Sequence, residues 1–575
     1  MSYTTIRLRQ RQSNFRSGLA ISVLVLGLGY GPAALADDDE WGFQPGNLLV
    51  SRVVYDNNPN NIVAGVTQLP PGCTSGCATA NASGTYPAVF NNDIVDGSFG
   101  ITSKIVLDQL TPFGFPVSSL EVPNSSQRFI GPHSDQMVSS FSSKSEVALN
   151  LSTDKHFVTF MGYLAPVDTI DVSNSNTPGV VDPTNPVTSS FYRVVAQVDR
   201  HGRFRFTKTN AYSGNNGRAA IVNNNNGTDL IYTSGNAGNG SNPQPSGIVL
   251  GAGAQILTAA KEPLSAQPDP GTPTPVGSFN ITQLGDKADK IGKDTNFRGL
   301  TIFNNVVYFT KGSGGNGINT VYFIDTSGFK SGVPLACPSG TGLPATAATL
   351  PTSPIVYTSS LLSSEGVVPY NMCILKGFPT TLAKTTTAFP FGVWFANATT
   401  LYVADEGNGT NTYSTTTGTY TAAAAQTTAG LQKWVFNAST GAWQPAYVLT
   451  AGLDLGVPYT VAGYPTGNNS ATGLPWSPAT DGLRNLTGRV NPDGTVTIWA
   501  ITSTVSGGGD QGADPNKLVT ITDKLSATTL PASEKFTTVR TARFAEVLRG
   551  VSFTPDTGLP EHEHWGGEFG PLGWH

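Results

Sequence analysis

One short motif recurs along this chain and limits what it can fold into more than any other feature. An arginine or its equivalent is followed by Gly, Asn or Ala, then an apolar run, a turn and a second apolar run. Arg298-Gly-Leu-Thr-Ile-Phe precedes Val306-Val-Tyr-Phe, and Phe391-Gly-Val-Trp-Phe precedes Leu401-Tyr-Val-Ala. Arg484-Asn-Leu-Thr and Arg549-Gly-Val-Ser-Phe are further copies. Arg218-Ala-Ala-Ile with Leu230-Ile-Tyr, and Ser145-Glu-Val-Ala-Leu with Phe157-Val-Thr-Phe, complete the set. Repetition of one sheet-sized unit means a repeat architecture.

Each unit reads as four strands. The unit from Arg298 predicts strands over 300–303, 306–310, 320–324 and 355–359. The next predicts 392–395, 401–404, 431–436 and 446–449. The unit from Arg484 predicts 486–490, 495–501, 517–522 and 537–541, with Asn491-Pro-Asp-Gly494 as a hairpin turn. Four-stranded units repeated about an axis describe an all-β propeller. Six first strands predict six blades, and a seventh between Phe90 and Phe141 is the alternative count. The start-to-start spacings of 73, 80, 93, 93 and 65 residues exceed those of compact blades. The excess lies in polar segments such as 223–226, 267–275, 338–354 and 413–428, which read as surface loops. Val551 has no strand after it, and the segments 47–55 and 103–108 have no first strand before them. The two termini are therefore expected to complete one blade together and close the ring. Two separate β-sandwiches are the competing fold, but they give no reason for six copies of one motif.

The first residues read as a targeting signal. Arg7, Arg9, Arg11 and Arg16 precede an apolar run from Gly18 to Tyr30, and Ala34-Leu35-Ala36 is a small-x-small cleavage site. Cleavage after Ala36 removes four arginines and no acids, taking the formal charge from -5 to -9. The expected organisation is a signal peptide over 1–36, a single propeller domain over 37–555 and a His/Glu-containing tail over 556–575. The mature protein is expected in the periplasm or secreted. Its acidity disfavours nucleic acid as a partner. No apolar stretch is long enough to span a membrane. The composition, with 65 glycines, 40 prolines and 12% charged residues, suits many strands and turns and few helices. Four cysteines fit an oxidising compartment. Local pairing of Cys73 with Cys77 and of Cys337 with Cys373 is one of three connectivities that four cysteines allow.

The segments 391–395, 401–407, 430–434 and 440–443, with 210–218 and Arg549-Gly-Val, resemble a group of exported bacterial propeller proteins. The likeness runs across most of residues 45–555. It implies the fold and export, and it carries over no catalytic residue.

Propeller geometry brings the starts of first strands and the ends of second strands to one channel face. That face collects Arg218, Arg298, Arg484 and Arg549, with Asn215, Asn216 and Asn296 just before two of them. Guanidinium groups about a channel mouth suit a carboxylate or phosphate. The competing reading is that each arginine bonds loop carbonyls and packs its stem between blades. Asp405 and Glu406 form the one paired carboxylate at such a position. They read as ligands for Ca²⁺ or another divalent cation, or as bonded to neighbouring amides and arginines. His562 and His564 alternate with glutamates in the tail, which reads as mobile and polar. No nucleophile elbow, zinc-protease helix or Walker loop occurs, and Gly312–Gly317 precedes a strand rather than a helix. The expected function is binding of an extracellular ligand, glycan or protein by a monomer. The alternative is a metal-dependent lactonase or esterase-type hydrolase with its site in the channel.

Overall fold

The computed structural model describes residues 42–55, 66, 68–69, 78–79, 101–131, 134–140, 146–169, 191–209, 212, 216–224, 230–236, 253–258, 278–281, 296–304, 306–312, 318–324, 371–380, 386–470, 472–508 and 514–559. The signal segment, the histidines of the tail, Asn215 and residues 313–317 of the glycine-rich turn lie outside these. So do the side chains of all four cysteines, and with them both proposed disulfides.

The described chain is all-β, in a propeller-like arrangement of small antiparallel sheets. Its helical content is one turn at Thr421–Ala424. The first large sheet joins the two ends of the chain. Leu48–Val54 pairs antiparallel with Glu546–Phe553, Val50 opposite Val551, and on its other side with Thr102–Leu110. Pro116–Glu121 extends this sheet and Ser139–Ser140 pairs with Thr102–Leu110. The described part of the 90–141 region thus belongs to this sheet, and forms no separate seventh unit.

The second sheet runs Asn150–Leu151, Phe157–Tyr163, Arg193–Asp199, Phe204–Thr209. Two later sheets have the same plan. One comprises Pro390–Asn397, Thr400–Asp405, Gly430–Asn437 and Ala442–Leu449. The other comprises Ala479–Val490, Thr495–Val505, Lys517–Lys524 and Thr537–Thr541.

The expectation of six separate blades is corrected between residues 217 and 374. There the units starting at Arg218 and Arg298 fuse into one eight-stranded sheet, giving five large sheets rather than six. Ser278–Ile281 and Asn371–Ile374 are the fourth strands of the two units. They pair in parallel through Asn280 with Asn371 and Ile281 with Met372. The expected fourth strand at 355–359 lies outside the described residues, and the observed one is 371–374.

Why the strands are apolar almost throughout follows from packing on both faces. Successive side chains of a strand point to opposite faces. Leu48 and Val50 pack with Trp499, Ile501 and Leu518 of the 479–541 sheet. The alternate residues Leu49 and Val53 pack with Val158, Phe160 and Val194 of the second sheet. In the same way Phe160 faces the terminal sheet while Met161 faces Ala220, Val222 and Ile231. Leu401 and Val403 join the core with Phe309 and Val321, whereas Tyr402 and Ala404 join Leu486 and Val496. Burying both faces removes the apolar/polar alternation of a half-exposed sheet.

Hydroxyls on second strands tie neighbouring units together. Thr159 Oγ1 donates to the Ala220 carbonyl at 2.7 Å, Ser234 Oγ to that of Arg298 at 3.1 Å, and Ser51 Oγ to that of Val147 at 2.8 Å. Thr310 Oγ1 donates to the Phe391 carbonyl. Each bond runs from a second strand to the first-strand segment of the following unit.

Candidate functional site: a buried arginine cluster

Six segments carry the recurring motif, and they present Glu146, second in the copy led by Ser145, and the leading residues Arg218, Arg298, Phe391, Arg484 and Arg549. All six are buried, the most exposed being Arg298 at 9%. The small residue that follows lets adjacent segments approach. A Cβ on Gly392 would stand 2.6 Å from the Arg484 carbonyl oxygen, and one on Gly550 would stand 2.7 Å from that of Val147.

Several of these positions interact with one another. Arg298 and Arg484 each place their guanidinium 5.9 Å from the Phe391 ring centroid. Between the same two arginines sits Glu406, its Oε1 3.1 Å from Arg298 Nε and its Oε2 3.3 Å from Arg484 Nε. Arg218 donates from Nη1 to the Asn296 side-chain oxygen and, at 2.8 Å, to the Phe297 carbonyl. Its Nε has no hydrogen-bond partner among the described residues.

Glu146 is the charged residue of its copy of the motif, one position after Ser145. Its Oε1 accepts from Tyr163 Oη at 2.5 Å, and its Oε2 from Ser139 Oγ and the Ser140 N–H, both at 3.1 Å. Burial pushes the Glu146 carboxyl up, opposed by Tyr163 and by the charge of Arg549. Tyr163 in turn has Arg193 over its ring, 5.0 Å from the centroid. Burial and Glu146 raise the Tyr163 hydroxyl well above its ordinary range.

The electrostatics of the cluster are cationic. Burial, and then the charge of Arg298, hold the Arg218 guanidinium well below its ordinary value, against the pull of Glu406 and Glu146. Burial also lowers Arg298; Glu406 opposes this and Arg484 adds to it. Arg193, Arg218, Arg298, Arg484 and Arg549 are all at least nine-tenths buried, and among the described residues the carboxylates that interact with them are Glu146, Glu406 and Asp481.

The structure thus brings together Arg218, Arg298, Arg484 and Arg549 as the motif implied, with Asn296 as a direct partner of Arg218. Asn216 contributes its carbonyl to the Asn236 N–H at 2.9 Å. Asp405 and Glu406, adjacent in sequence, point to different partners. Glu406 is the counter-ion of two arginines. Asp405 accepts from the N–H groups of Phe389 at 2.8 Å and Gly407 at 3.0 Å, and from Gln432 Nε2 at 3.0 Å. Burial pushes Asp405 up to about 7, its N–H donors pull it down, and Glu406 and Asp481 add to the rise. Hydrogen-bond donors therefore already meet the oxygens that the cation reading required. Among the described residues no group of three or more His, Cys, Asp or Glu side chains is placed to hold a metal ion.

Sequence reasoning missed Glu146, Phe391, Tyr163 and Arg193 as members of the site. The signal for the first two was present, since Phe391 leads its copy of the motif and Glu146 stands second in its own. Tyr163 and Arg193 lie in second and third strands, and nothing in the motif marks them.

No protein-family model matches the chain, and no curated protein matches it. The likeness to exported bacterial propellers stands at the level of a propeller-like fold.

Proposed function

We propose that this chain is an exported binding protein whose ligand presents a small oxyanion, phosphate or carboxylate, to the arginine cluster. One observation carries the reading: among the described residues, five buried guanidinium groups share a site with three carboxylates, Glu146, Glu406 and Asp481. Buried charge without a counter-charge is costly, and an anion from solution offsets that cost. Arginine forks suit oxyanions because they donate in pairs. The Nε of Arg218 supplies a buried donor with no partner among the described residues.

In this reading the five large sheets surround one axis, and the motif positions line a single channel. The mature protein begins near Asp37, acts outside the cytoplasm and is monomeric. The metal-dependent hydrolase has less behind it, because donors already meet the oxygens of Asp405 and Glu406.

Calorimetric titration of the folded protein with inorganic phosphate, sulfate and citrate at low ionic strength tests the proposal. Saturable binding of at least one is expected. The Arg218→Gln and Arg484→Gln variants should each weaken it about tenfold or more, the loss of one charge-assisted contact. No saturable binding of any of the three, or variants that bind as the parent does, overturns it.

A further inference from the structure

A second buried polar cluster lies far from the motif positions, between the 390–449 and 479–541 sheets. Its centre is Asp523, fully buried. Asp523 Oδ2 accepts from Lys433 Nζ at 2.8 Å and from Tyr402 Oη, and Oδ1 accepts from Tyr447 Oη at 2.6 Å. Lys433, also fully buried, bonds further to the Lys524 carbonyl at 2.8 Å and to Tyr447 Oη at 3.0 Å. One more group meets Asp523, the carboxyl of Glu534.

Two neighbouring carboxyl groups in a buried setting favour sharing one proton, because both cannot ionise without repulsion. Glu534 Oε2 is buried, and no N–H or hydroxyl among the described residues reaches it. Its Oε1 accepts from the Lys524 N–H at 2.9 Å. The environment assigns the proton to Glu534. Burial and the neighbouring Asp523 push Glu534 up to about 7, with the Lys524 N–H and Lys433 opposing. Burial also pushes Asp523 upward, but bonds from Glu534, Lys433, Tyr402 and Tyr447 outweigh it and hold Asp523 low.

Glu534 sits on the connection between Lys517–Lys524 and Thr537–Thr541. That connection forms one wall of a groove of about 720 Å³, through Leu525, Ser526, Ala527, Thr528 and Glu534. Asn397, Thr399 and Thr400 of the neighbouring sheet form another wall, and Asp493 and Gly494 stand at its end. The Leu525 N–H bonds to the Gly494 carbonyl at 3.1 Å, so the groove's shape depends on the connection staying down.

We propose that Glu534 and Asp523 form a proton-operated latch, which holds the 525–536 connection against the sheet while the proton is shared and releases it when the proton is lost. The groups that face the pair are Lys433, Tyr402 and Tyr447 from the neighbouring sheet and Lys524 from its own. Lys433 is the one cation among them that contacts Asp523 directly. Once Glu534 ionises, that single ammonium faces two carboxylates, and like charges in contact repel. Asp523 keeps three other donors and stays in place. Glu534 loses its one tie to Asp523, and it is the group that moves.

Site-resolved hydrogen exchange, corrected for the intrinsic effect of pH, tests the latch through the Lys524 and Leu525 amides. In the parent protein their protection should be constant below about pH 6 and fall by up to about tenfold per pH unit above about pH 7, as one-proton linkage requires. The Glu534→Gln variant offers Asp523 an amide N–H at every pH, so its protection should not change with pH. The Glu534→Ala variant removes the tie and should be unprotected throughout. Parent protection that is flat from about pH 6 to about pH 8 overturns the proposal. So does a Glu534→Gln variant that loses protection in parallel with the parent, or a Glu534→Ala variant protected like the parent at low pH.

Discussion

Gly299 lies against the carbonyl of Phe391, the leading residue of the next motif, so closely that a Cβ would stand 2.3 Å from that oxygen. The contact explains the second position of the motif. Neighbouring first strands converge there, and backbone atoms of the next strand fill the space a side chain would take.

Gly299→Ala and Gly392→Ala should therefore destabilise the fold by about 1–3 kcal/mol each, the range for overpacking where the neighbour cannot give way. Gly131→Ala is the control, because its nearest neighbour is Ser134 Oγ at 3.7 Å. It should fall within about 0.5 kcal/mol of the parent, as surface substitutions do. Urea unfolding midpoints decide it, and equal losses at all three positions would remove the close-approach explanation.

This contact also marks what the sequence could and could not disclose. The strands 300–303, 320–324 and 537–541 were legible to the residue, because short runs rich in β-branched and aromatic residues, bounded by turn residues, read as strands. The shared terminal sheet was legible because Val551 lacked a partner strand. Fusion of two units into one sheet was not, since it rests on two parallel residue pairs between segments 90 residues apart in sequence. The cluster was legible only where arginine recurs. Phe391 breaks the residue pattern while keeping the position, and Glu146 stands one place after the leading Ser145. Asp405 and Glu406 looked alike because sequence adjacency hides that successive residues of an extended chain point opposite ways. Lys433 and Asp523 are 90 residues apart, and nothing local to either predicts a buried pair.

Glu406 supplies the carboxylate between Arg298 and Arg484, and its loss should be felt by both. Glu406→Ala removes the carboxylate that both buried guanidinium groups contact, which should cost about 3–5 kcal/mol. Phosphate or sulfate should restore part of this loss by occupying the vacated position. Thermal unfolding of parent and variant with and without about 50 mM phosphate measures both effects. An anion that stabilises the variant no more than the parent would show that the vacated position is closed to solution.

The buried carboxyls give stability a defined pH dependence. Burial pushes Asp405 up to about 7 and Asp481 up to about 6, so the folded chain holds protons that the unfolded chain has lost. Their contribution is complete below about pH 4 and is lost as pH rises through about 6 and 7. Asp108 acts in the opposite sense. Burial alone would raise it, but Arg52, at 2.7 Å, and Arg540, at 2.8 Å, hold it below its ordinary range. Its contribution is present above about pH 4 and is lost as the solution becomes more acidic. Stability should therefore peak near about pH 4 and decline toward about pH 8. Denaturant midpoints across that range test this, and a midpoint that rises from about pH 5 to about pH 8 contradicts it.

The pairing of Val50 with Val551 permits a direct chemical test of how the chain's ends are joined. Directly opposed residues in antiparallel strands have Cα atoms about 4.5–5.5 Å apart, within the range a disulfide spans. Both valines are fully buried, and cysteine is smaller, so Val50→Cys with Val551→Cys introduces no crowding. The bond would close a loop of about 500 residues, for which the chain-entropy model gives about 6 kcal/mol, an upper figure because real bridges carry strain. The doubly substituted protein should oxidise as it folds, and should unfold at higher denaturant than the parent until reductant removes the difference. Each single substitution should lack that reductant-sensitive gain, which separates the bridge from any effect of packing. Thiols at 50 and 551 that both remain unoxidised in the folded protein would mean the terminal strands are not in register. The cluster depends on that register, because Arg549 reaches Glu146 from the strand that this pairing holds in place.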